Sequence, residues 1–341
     1  MRVLVIGGTR FIGPRVVKQL VEKGHDVAVF NRGETGAELP EGVGRVRGDR
    51  RNLANFAGEF RRLAPDVVLD MIPMNEKEAR GVVHVFEGIA QRIVAVSSGD
   101  VYRAYDRLTG RDSGPPDPVP LHEHSPLREM LYPYEGRGDD EYEKILVEKV
   151  VKGESWLPGT VLRLPAVYGP GDYQHRLFPY LKRMDDGRPA ILLSEGISSW
   201  RWTLGYVEDV AAAIVLVTVD GRAAGRTYNV GESDPLPWAE RVREIGRAVG
   251  WSGEIVAVSR RRLPEHLDQG LDTDQHLFVD TSRIRRELGY EEAVSRSDAL
   301  RDTVAWERRH PPAEVDFAYF DYAAEDAVLA GLDRQSSSYT G

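Results

Sequence analysis

Short apolar runs alternate with amphipathic stretches along the first half of the chain. Val3 to Ile6 is an apolar run that ends in glycine, and residues 12–21 then place apolar side chains at helical spacing. Gly24 ends this predicted helix, and Asp26 to Phe30 is the next apolar run. A strand, a helix and a second strand within about thirty residues predict a βαβ unit with two parallel strands.

The alternation continues as far as residue 170. Apolar runs over residues 67–72, 92–98 and 160–169 predict further strands, and residues 139–151 have the pattern of an amphipathic helix. Repeated alternation of strands and helices is typical of an α/β protein with a doubly wound parallel sheet, the Rossmann arrangement. Beyond residue 170 the pattern is looser, with predicted helices over 177–184, 207–217, 238–249, 282–288 and 297–310 and a strand near 191–193.

These patterns predict how the chain is divided. Residues 1–170 are expected to form a Rossmann dinucleotide-binding domain, to which the chain returns over about 200–231. Residues 171–330 are expected to form a smaller, partly helical substrate lobe interleaved with it. Residues 331–341 are small and polar, which predicts a disordered tail.

Composition narrows the possible functions. The formal net charge of −9 argues against a protein whose main partner is a polyanion. The absence of cysteine excludes disulfides, thiolate metal sites and a cysteine nucleophile. The first residues enter a strand without the pattern of a signal peptide, and no apolar run approaches the ~20 residues of a membrane span. We therefore expect a cytoplasmic protein that does not contact a membrane.

The segment GGTRFIG follows the first strand and opens the first helix, which is the context of a dinucleotide-binding loop. Gly7 permits a tight turn, Gly13 permits close packing of the helix, and the helix N-terminus attracts a pyrophosphate. Arg10 stands where a G-x-x-G-x-x-G spacing has its middle glycine, and its guanidinium can itself bind a phosphate. The predicted cofactor residues of the loop are Gly7, Thr9, Arg10, Phe11, Ile12 and Gly13.

The end of the second strand bears on the choice of cofactor. Asn31 occupies the position where NAD sites usually have an acid, and Arg32 follows it. Together with Arg10 this favours NADP(H), with NAD(H) still possible, although Arg32 is alternatively a solvated turn residue. Asp49 is placed to hydrogen-bond an adenine amino group, with Arg50 beside it.

Seven motifs in order resemble the extended short-chain dehydrogenases/reductases, the NAD-dependent epimerase/dehydratase family. They are GGTRFIG, VSSGDVY (96–102), KILVE (144–148), LRLPAVYGPGD (162–172), LGYVEDVAAAI (204–214), TYNVG (227–231) and FVDTSRIRRELGY (278–290). The form of the glycine loop is similar to that of an atypical branch that includes the chloroplast stem-loop RNA-binding proteins. The resemblance implies further cofactor contacts from Met71, Ile72, Ser97, Lys144, Pro165 and Val167.

In that family a serine or threonine, a tyrosine and a lysine carry out the chemistry. The resemblance assigns Ser98 to orient the substrate oxygen and Lys144 to hold the cofactor ribose and lower the tyrosine pKa. The tyrosine is expected four residues before the lysine, where this chain has Asp140. Tyr142 lies about 200° round a helix from Lys144 and would need a shift in register. Tyr134, like Tyr132, belongs to the preceding loop and is a further candidate.

Two functions of different classes remain open. The first is an NAD(P)-dependent oxidoreductase or epimerase acting on a hydroxyl or ketone of a sugar or nucleotide sugar. It would use Ser98 and Lys144, with the proton carried by Asp140, Tyr142, a loop tyrosine or water. The second is an NADP(H)-binding regulator or RNA-binding protein that has lost hydride chemistry. The acidic net charge favours the first, and the missing tyrosine favours the second.

Two expectations concern partners and metals. The resemblance to the family implies a homodimer that forms through the helix containing Lys144 and the helix before it. His122 and His124 resemble a metal pair, but no further ligands lie at usable spacing, so no metal site is predicted.

Overall fold

The computed structural model describes residues 1–338. The strands are β1 Arg2–Ile6, β2 Asp26–Asn31, β3 Gly44–Arg47, β4 Val67–Asp70, β5 Arg92–Ser98, β6 Gly159–Leu164, β7 Ala166–Tyr168, β8 Ala190–Ser194, β9 Leu204–Tyr206, β10 Thr227–Asn229 and β11 Glu254–Val258. The helices are α1 Ile12–Glu22, α2 Ala57–Leu63, α3 Glu76–Phe86, α4 Arg103–Leu108, α5 Lys144–Gly153, α6 Phe178–Asp185, α7 Glu195–Ser199, α8 Val207–Val219, α9 Trp238–Val249, α10 Ser282–Leu288, α11 Arg296–Arg309 and α12 Tyr322–Ser338.

Seven strands form one sheet in the order β10-β6-β5-β4-β1-β2-β3, and each neighbouring pair is parallel. Successive strands are added on one side of β1 as far as β3 and on its other side from β4 onward, so the strand order reverses between β1 and β4. Ligands of such sheets bind at this switch point, outside the carboxyl ends of the strands. The predicted α/β class and doubly wound parallel sheet are therefore confirmed.

The sheet is covered on both faces, as buried parallel strands require. On one face α1 and α8 pack together against a core that includes Val5 and Leu69. On the other face α3 and α5 pack together over a core that includes Ile6 and Phe86. A third cluster, around Tyr102, lies beneath the segment that connects β5 to α5.

The chain beyond residue 170 adds both to this sheet and to a smaller region. Strand β10 extends the main sheet, while β8 pairs with β11 and β7 pairs with β9 in two small parallel sheets. The boundary at residue 170 stays a prediction. Within residues 1–338 no helix is both long and apolar enough to cross a membrane.

Two boundaries differ from expectation. Helix α5 begins at Lys144, so residues 139–143 of the predicted helix form an irregular segment instead, with a turn at Asp140 and Glu141. Helix α12 continues through 331–338, where we expected disorder, and the rest of that expectation, at 339–341, lies outside the described residues.

Candidate active site

The glycine loop between β1 and α1 has a backbone that only glycine fits at two points. Gly7 adopts a φ of +92°, a left-handed conformation that L side chains rarely adopt. A Cβ on Gly13 would lie 2.4 Å from the carbonyl carbon of Gly8, so the first turn of α1 lies directly against the loop. The roles expected for both glycines agree with this geometry. Phe11, the residue before α1, also has a positive φ, of 45°.

A cleft of about 910 Å³ lies over this loop at the carboxyl ends of β1, β2, β3 and β4. It is lined by most of the predicted cofactor residues: Gly7, Thr9, Arg10, Phe11, Ile12, Gly13, Asn31, Arg32, Asp49, Arg50, Met71 and Ile72. The other four lie outside it. Pro165 lines a second pocket, and the Val167 side chain is buried in the core. Ser97 and Lys144 are also buried and line neither space.

The exposed arginines of the cleft differ in their partners. Arg32 forms an ion pair with Glu34 at 3.1 Å. Arg51 binds the carboxylate of Asp49, and its guanidinium lowers the pKa of Asp49 to about 2. The side chain of Arg10 is exposed and has no hydrogen-bond or ion-pair partner among residues 1–338. Arg10 is thus available to an anion that enters the cleft.

Arg50, in contrast, is largely occupied by protein groups. Its guanidinium donates two hydrogen bonds to the carboxylate of Asp70, at 3.0 and 2.8 Å, and another to the carbonyl oxygen of Ile72 at 2.6 Å. Its Nε lies 3.2 Å from Glu78. Arg50 therefore joins the loop after β3 to the loop after β4 as a structural element of the cleft, rather than as a free cofactor ligand.

A second pocket of about 510 Å³ adjoins the cleft, and Met74 and Tyr173 line both. Its other lining residues include the end of β5 and two tyrosines of the segment before α5, namely Ser98, Asp100, Tyr134 and Tyr142, together with Asp139, Arg163, Pro165, Gln174, Arg176, Trp202 and Thr203. A ligand spanning both spaces would bring its two ends together near Met74 and Tyr173. The second pocket is consequently the candidate substrate site.

The tyrosine of this pocket whose ring lies beside Lys144 is Tyr142, and no side chain at position 140 lines the pocket. The expected spacing of four residues assumed a helix, but α5 begins only at Lys144, with Glu143 as its cap. In the turn before it, the Asp140 carboxylate is exposed and accepts a hydrogen bond from the Gly136 backbone at 2.6 Å. The prediction that Tyr142 lies about 200° round a helix from Lys144 was wrong for the same reason. The Lys144 ammonium lies 5.5 Å from the centroid of the Tyr142 ring.

Hydrogen bonds tie Tyr142 to the end of β5. Its hydroxyl donates to Asp100 Oδ2 at 2.8 Å, and the hydroxyl of Tyr134 donates to the same oxygen at 3.0 Å. Ser98 interacts with Tyr142 and accepts a hydrogen bond from the Asp100 backbone at 3.3 Å. Ser98, Tyr134 and Tyr142 are thus brought together, whereas Tyr132 does not line the pocket.

Lys144 lies buried behind this group. Its ammonium donates to the carbonyl oxygens of Pro73 at 2.7 Å and Val96 at 3.2 Å. Burial lowers the pKa of Lys144 to about 8, although the charges of Asp70 and Asp100 act in the opposite direction. The lysine therefore places a positive charge beneath Tyr142 while its hydrogens are used by the backbone.

Ser97 has a structural role in place of the expected contact with cofactor. Its hydroxyl donates to Glu148 at 2.6 Å, and Glu148 forms a two-point ion pair with Arg163 at 2.9 and 2.7 Å. All three side chains are buried. The two adjacent serines consequently point to different partners, and only Ser98 faces the pocket.

Asp100 is a residue of the second pocket that the sequence motifs did not single out. The available signal was an acid two residues beyond Ser98, at the end of a strand whose carboxyl end faces the ligand. The two loop histidines, meanwhile, interact with protein groups, His122 with Asp280 and His124 with Arg283. Within residues 1–338 no group of three or more potential metal ligands is gathered.

Comparison with known proteins identifies the family. A sequence model of the NAD dependent epimerase/dehydratase family matches residues 3–231. The chain is 31% identical over 294 residues to 2'-dehydrokanamycin reductase of Streptomyces kanamyceticus, a match that covers 83% of this chain and 75% of that protein. The chain belongs to the NAD dependent epimerase/dehydratase family, the extended short-chain dehydrogenases/reductases.

Two further similarities are more distant. The chain is 25% identical over 323 residues to chloroplast stem-loop binding protein of 41 kDa b of Arabidopsis thaliana, covering 89% of this chain and 78% of that protein. It superposes with a TM-score of 0.68 at 21% identity on a UDP-glucose 4-epimerase of Stenotrophomonas maltophila, solved with NAD and formylated UDP-arabinopyranose, covering 92% of this chain and all of the other. The second similarity shows the shared fold.

Proposed function

We propose that this protein is an NADP(H)-dependent oxidoreductase that interconverts a ring hydroxyl and a ketone of a sugar. The observation that carries the proposal is the position of Tyr142, which lines the pocket adjoining the cofactor cleft together with Ser98 and donates a hydrogen bond to Asp100 Oδ2 at 2.8 Å. The family relationship supports the reaction class, because its members use a tyrosine with these neighbours. A displaced tyrosine thus takes the place of the one that the sequence pattern lacks.

The side chains have separate tasks in this proposal. Ser98 orients the oxygen of the substrate, and Tyr142 exchanges a proton with that oxygen. Lys144 supplies a buried positive charge that favours any negative charge that develops on the tyrosine oxygen. A bound nicotinamide would supply or accept the hydride.

The cleft fits a dinucleotide. Gly13 allows the backbone of α1 to lie against the loop, so that the amide groups of the helix N-terminus face the cleft. Arg10 has no partner among the described residues, and Asn31 stands where a carboxylate would repel a phosphate on the ribose. These two residues support NADP(H) over NAD(H). NAD(H) is the alternative, because the similar UDP-glucose 4-epimerase structure contains NAD.

The charges of the pocket bear on the substrate. Arg163 is paired with Glu148, and Arg176 is paired with Asp172 at 2.6 Å, so neither guanidinium is left without a carboxylate. Asp139 adds a negative charge at the same pocket. This arrangement favours a free sugar or an amino sugar over a sugar that carries a diphosphate, in agreement with the relative named for a dehydrokanamycin. Nucleotide sugars remain the alternative.

The test is hydride transfer measured by the absorbance of the reduced cofactor. The purified protein is supplied with NADPH or NADH and with three groups of keto substrates: free sugars, aminoglycosides and nucleotide sugars. We expect oxidation of NADPH by a free or amino sugar ketone, and loss of that activity in Tyr142→Phe. A protein that binds the cofactor but oxidises it with none of the three groups has lost hydride chemistry, and the proposal is then wrong.

The competing function draws on the stem-loop binding relative. It predicts that the protein binds a stem-loop RNA at moderate salt. The net charge of −9 disfavours such binding. The homodimer likewise stays a prediction. Helix α5, one of the two helices through which it would form, packs with α3 on one face of the sheet, and the molar mass in solution tests the dimer.

A further inference from the structure

Asp100 occupies an unusual position for a carboxylate. It follows β5 in a short 3₁₀ turn, Gly99–Val101, and is 7% exposed on the wall of the second pocket. Oδ2 accepts hydrogen bonds from the hydroxyls of both Tyr142 and Tyr134. Oδ1 is buried and has no hydrogen-bond partner among the described residues. One oxygen is thus held by two donors while the other is left unsatisfied.

The charged groups around Asp100 are committed elsewhere. Arg128 donates to the Asp100 backbone and pairs with the carboxylate of Glu143 at 3.3 Å. The Lys144 ammonium is bound to two backbone carbonyls. Tyr105, whose ring lies 6.1 Å from that of Tyr134, completes the surroundings. No lysine or arginine among residues 1–332 forms an ion pair with Asp100, and burial raises the pKa of this carboxyl.

This environment affects the tyrosine. Burial, and next the charge of Asp100, raise the pKa of Tyr142 well above its ordinary value. An ionised Asp100 would therefore oppose the loss of a proton from Tyr142, because two negatively charged oxygens would then lie 2.8 Å apart with no proton between them. A protonated Asp100 removes this conflict, since it can donate to the tyrosine oxygen across the same 2.8 Å.

We propose that Asp100 is the proton source of the pocket and that it acts through Tyr142. In the direction of ketone reduction the hydride and its electron pair come from reduced nicotinamide, and the substrate oxygen takes the Tyr142 proton. The Asp100 proton then passes to the Tyr142 oxygen. The O–H bond of Asp100 breaks, that of Tyr142 is restored, and Asp100 ends as a carboxylate. Oxidation reverses each transfer.

Tyr134 is a positioning residue in this scheme. Its hydroxyl donates to the oxygen that carries the charge once Asp100 has lost its proton. A hydrogen bond to the charged form lowers the pKa of a carboxyl, so Tyr134 makes Asp100 a better proton donor. Loss of the Tyr134 hydroxyl should therefore raise the pKa of Asp100, a change that a purely structural tyrosine would not produce.

The first test reads the carboxyl directly and needs no substrate. Infrared difference spectra between the wild type and Asp100→Asn are recorded across pH, with and without NADP⁺. We expect a protonated-carboxyl band that disappears with a midpoint clearly above the ordinary aspartate pKa of about 3.9. In Tyr134→Phe the midpoint should move further up. A midpoint at the ordinary value, or one that Tyr134→Phe leaves unchanged, overturns the proposal.

The second test is the pH profile of ketone reduction. Because reduction needs the protonated form of Asp100, kcat should fall tenfold per pH unit above the infrared midpoint. This fall of kcat should begin at a higher pH in Tyr134→Phe. It should be absent in Asp100→Asn, where kcat is about 10²-fold or more lower than in the wild type at low pH. A fall of kcat with pH that persists in Asp100→Asn overturns the proposal.

This inference rests on the proposed oxidoreductase function, and the two fail differently. If the wild type transfers no hydride, the proposed function is wrong, whatever the infrared midpoint. If hydride transfer occurs but Asp100 titrates at its ordinary pKa, the oxidoreductase stands and Asp100 is not its proton source. Should Asp100→Asn fail to fold, the Tyr134→Phe shift in both the midpoint and the fall of kcat still decides.

Discussion

The cofactor cleft and the adjoining tyrosine pocket both depart from the family pattern, but they do so in different ways. In the cleft, Arg10 replaces a glycine while the backbone still turns at Gly7 and packs at Gly13. In the pocket, the residue at the expected position, Asp140, does not line the wall, whereas Tyr142 lines it from the segment before α5. The cleft is specified by local backbone geometry, whereas the pocket is assembled from side chains of several separate segments.

The largest effect is expected in the pocket. Tyr142→Phe removes the hydroxyl that we propose exchanges a proton with substrate, and general acid catalysis contributes about 10²- to 10⁴-fold. We expect kcat to fall by that factor with cofactor affinity unchanged. Asp140→Asn is the matched control, because Asp140 is exposed and bonds only the Gly136 backbone in that turn. Equal losses in the two variants would show that the tyrosine register inferred here is wrong.

The buried lysine should be visible in the pH dependence of stability. The pKa of Lys144 is about 8 in the folded protein and 10.5 ordinarily, so between these values the unfolded chain binds more protons and folding stability rises with pH. Relative to Lys144→Met, the wild type should gain roughly 3 kcal/mol in free energy of unfolding over this range. Denaturant unfolding at several pH values measures the difference, and a constant difference would contradict a lowered pKa.

In the cleft the sharpest change is Gly13→Ala. The added methyl group would meet backbone atoms of Gly8 at 2.4 to 2.8 Å, which side-chain movement cannot relieve. We expect a loss of about 1–3 kcal/mol in unfolding free energy, together with weaker cofactor binding. Gly58→Ala is the control, since Gly58 is also the second residue of a helix and its Cβ would meet nothing within 4 Å.

The smallest effect concerns the cofactor preference. Arg10→Gly removes an exposed guanidinium without disturbing any contact among the described residues. If it binds the ribose phosphate, NADPH affinity should fall about tenfold or more while NADH affinity stays within about twofold, as expected for a lost charged hydrogen bond. Titration of both cofactors measures this. Equal weakening of the two would place the arginine at the pyrophosphate instead.

Regular elements were predictable because their signals are local. Helices α9 and α10 have the predicted bounds, Trp238–Val249 and Ser282–Leu288, because apolar side chains recur at helical spacing there. The segment 139–143 precedes the amphipathic pattern of α5 and was predicted as part of the same helix. It is nevertheless irregular, and the Glu143 carboxylate accepts from the backbone of Ile145 and Tyr132. A long-range contact of this kind has no signature in local periodicity.

The sequence by itself determined the parallel sheet, the glycine loop and the family, because strand periodicity and the steric needs of Gly7 and Gly13 act over a few residues. Only the tertiary structure decided which side chains share the pocket. Ser97 and Ser98 are neighbours in sequence, yet the first is bound to Glu148 and the second faces Tyr142. Asp100 and Tyr142 are 42 residues apart and meet because β5 and the turn before α5 end at the same edge of the sheet. Side chains alternate along β5, so Ser97 and Ser98 lie on opposite faces of the sheet. The start of α5 at Lys144 places Tyr142 at the pocket. Tertiary packing sets both.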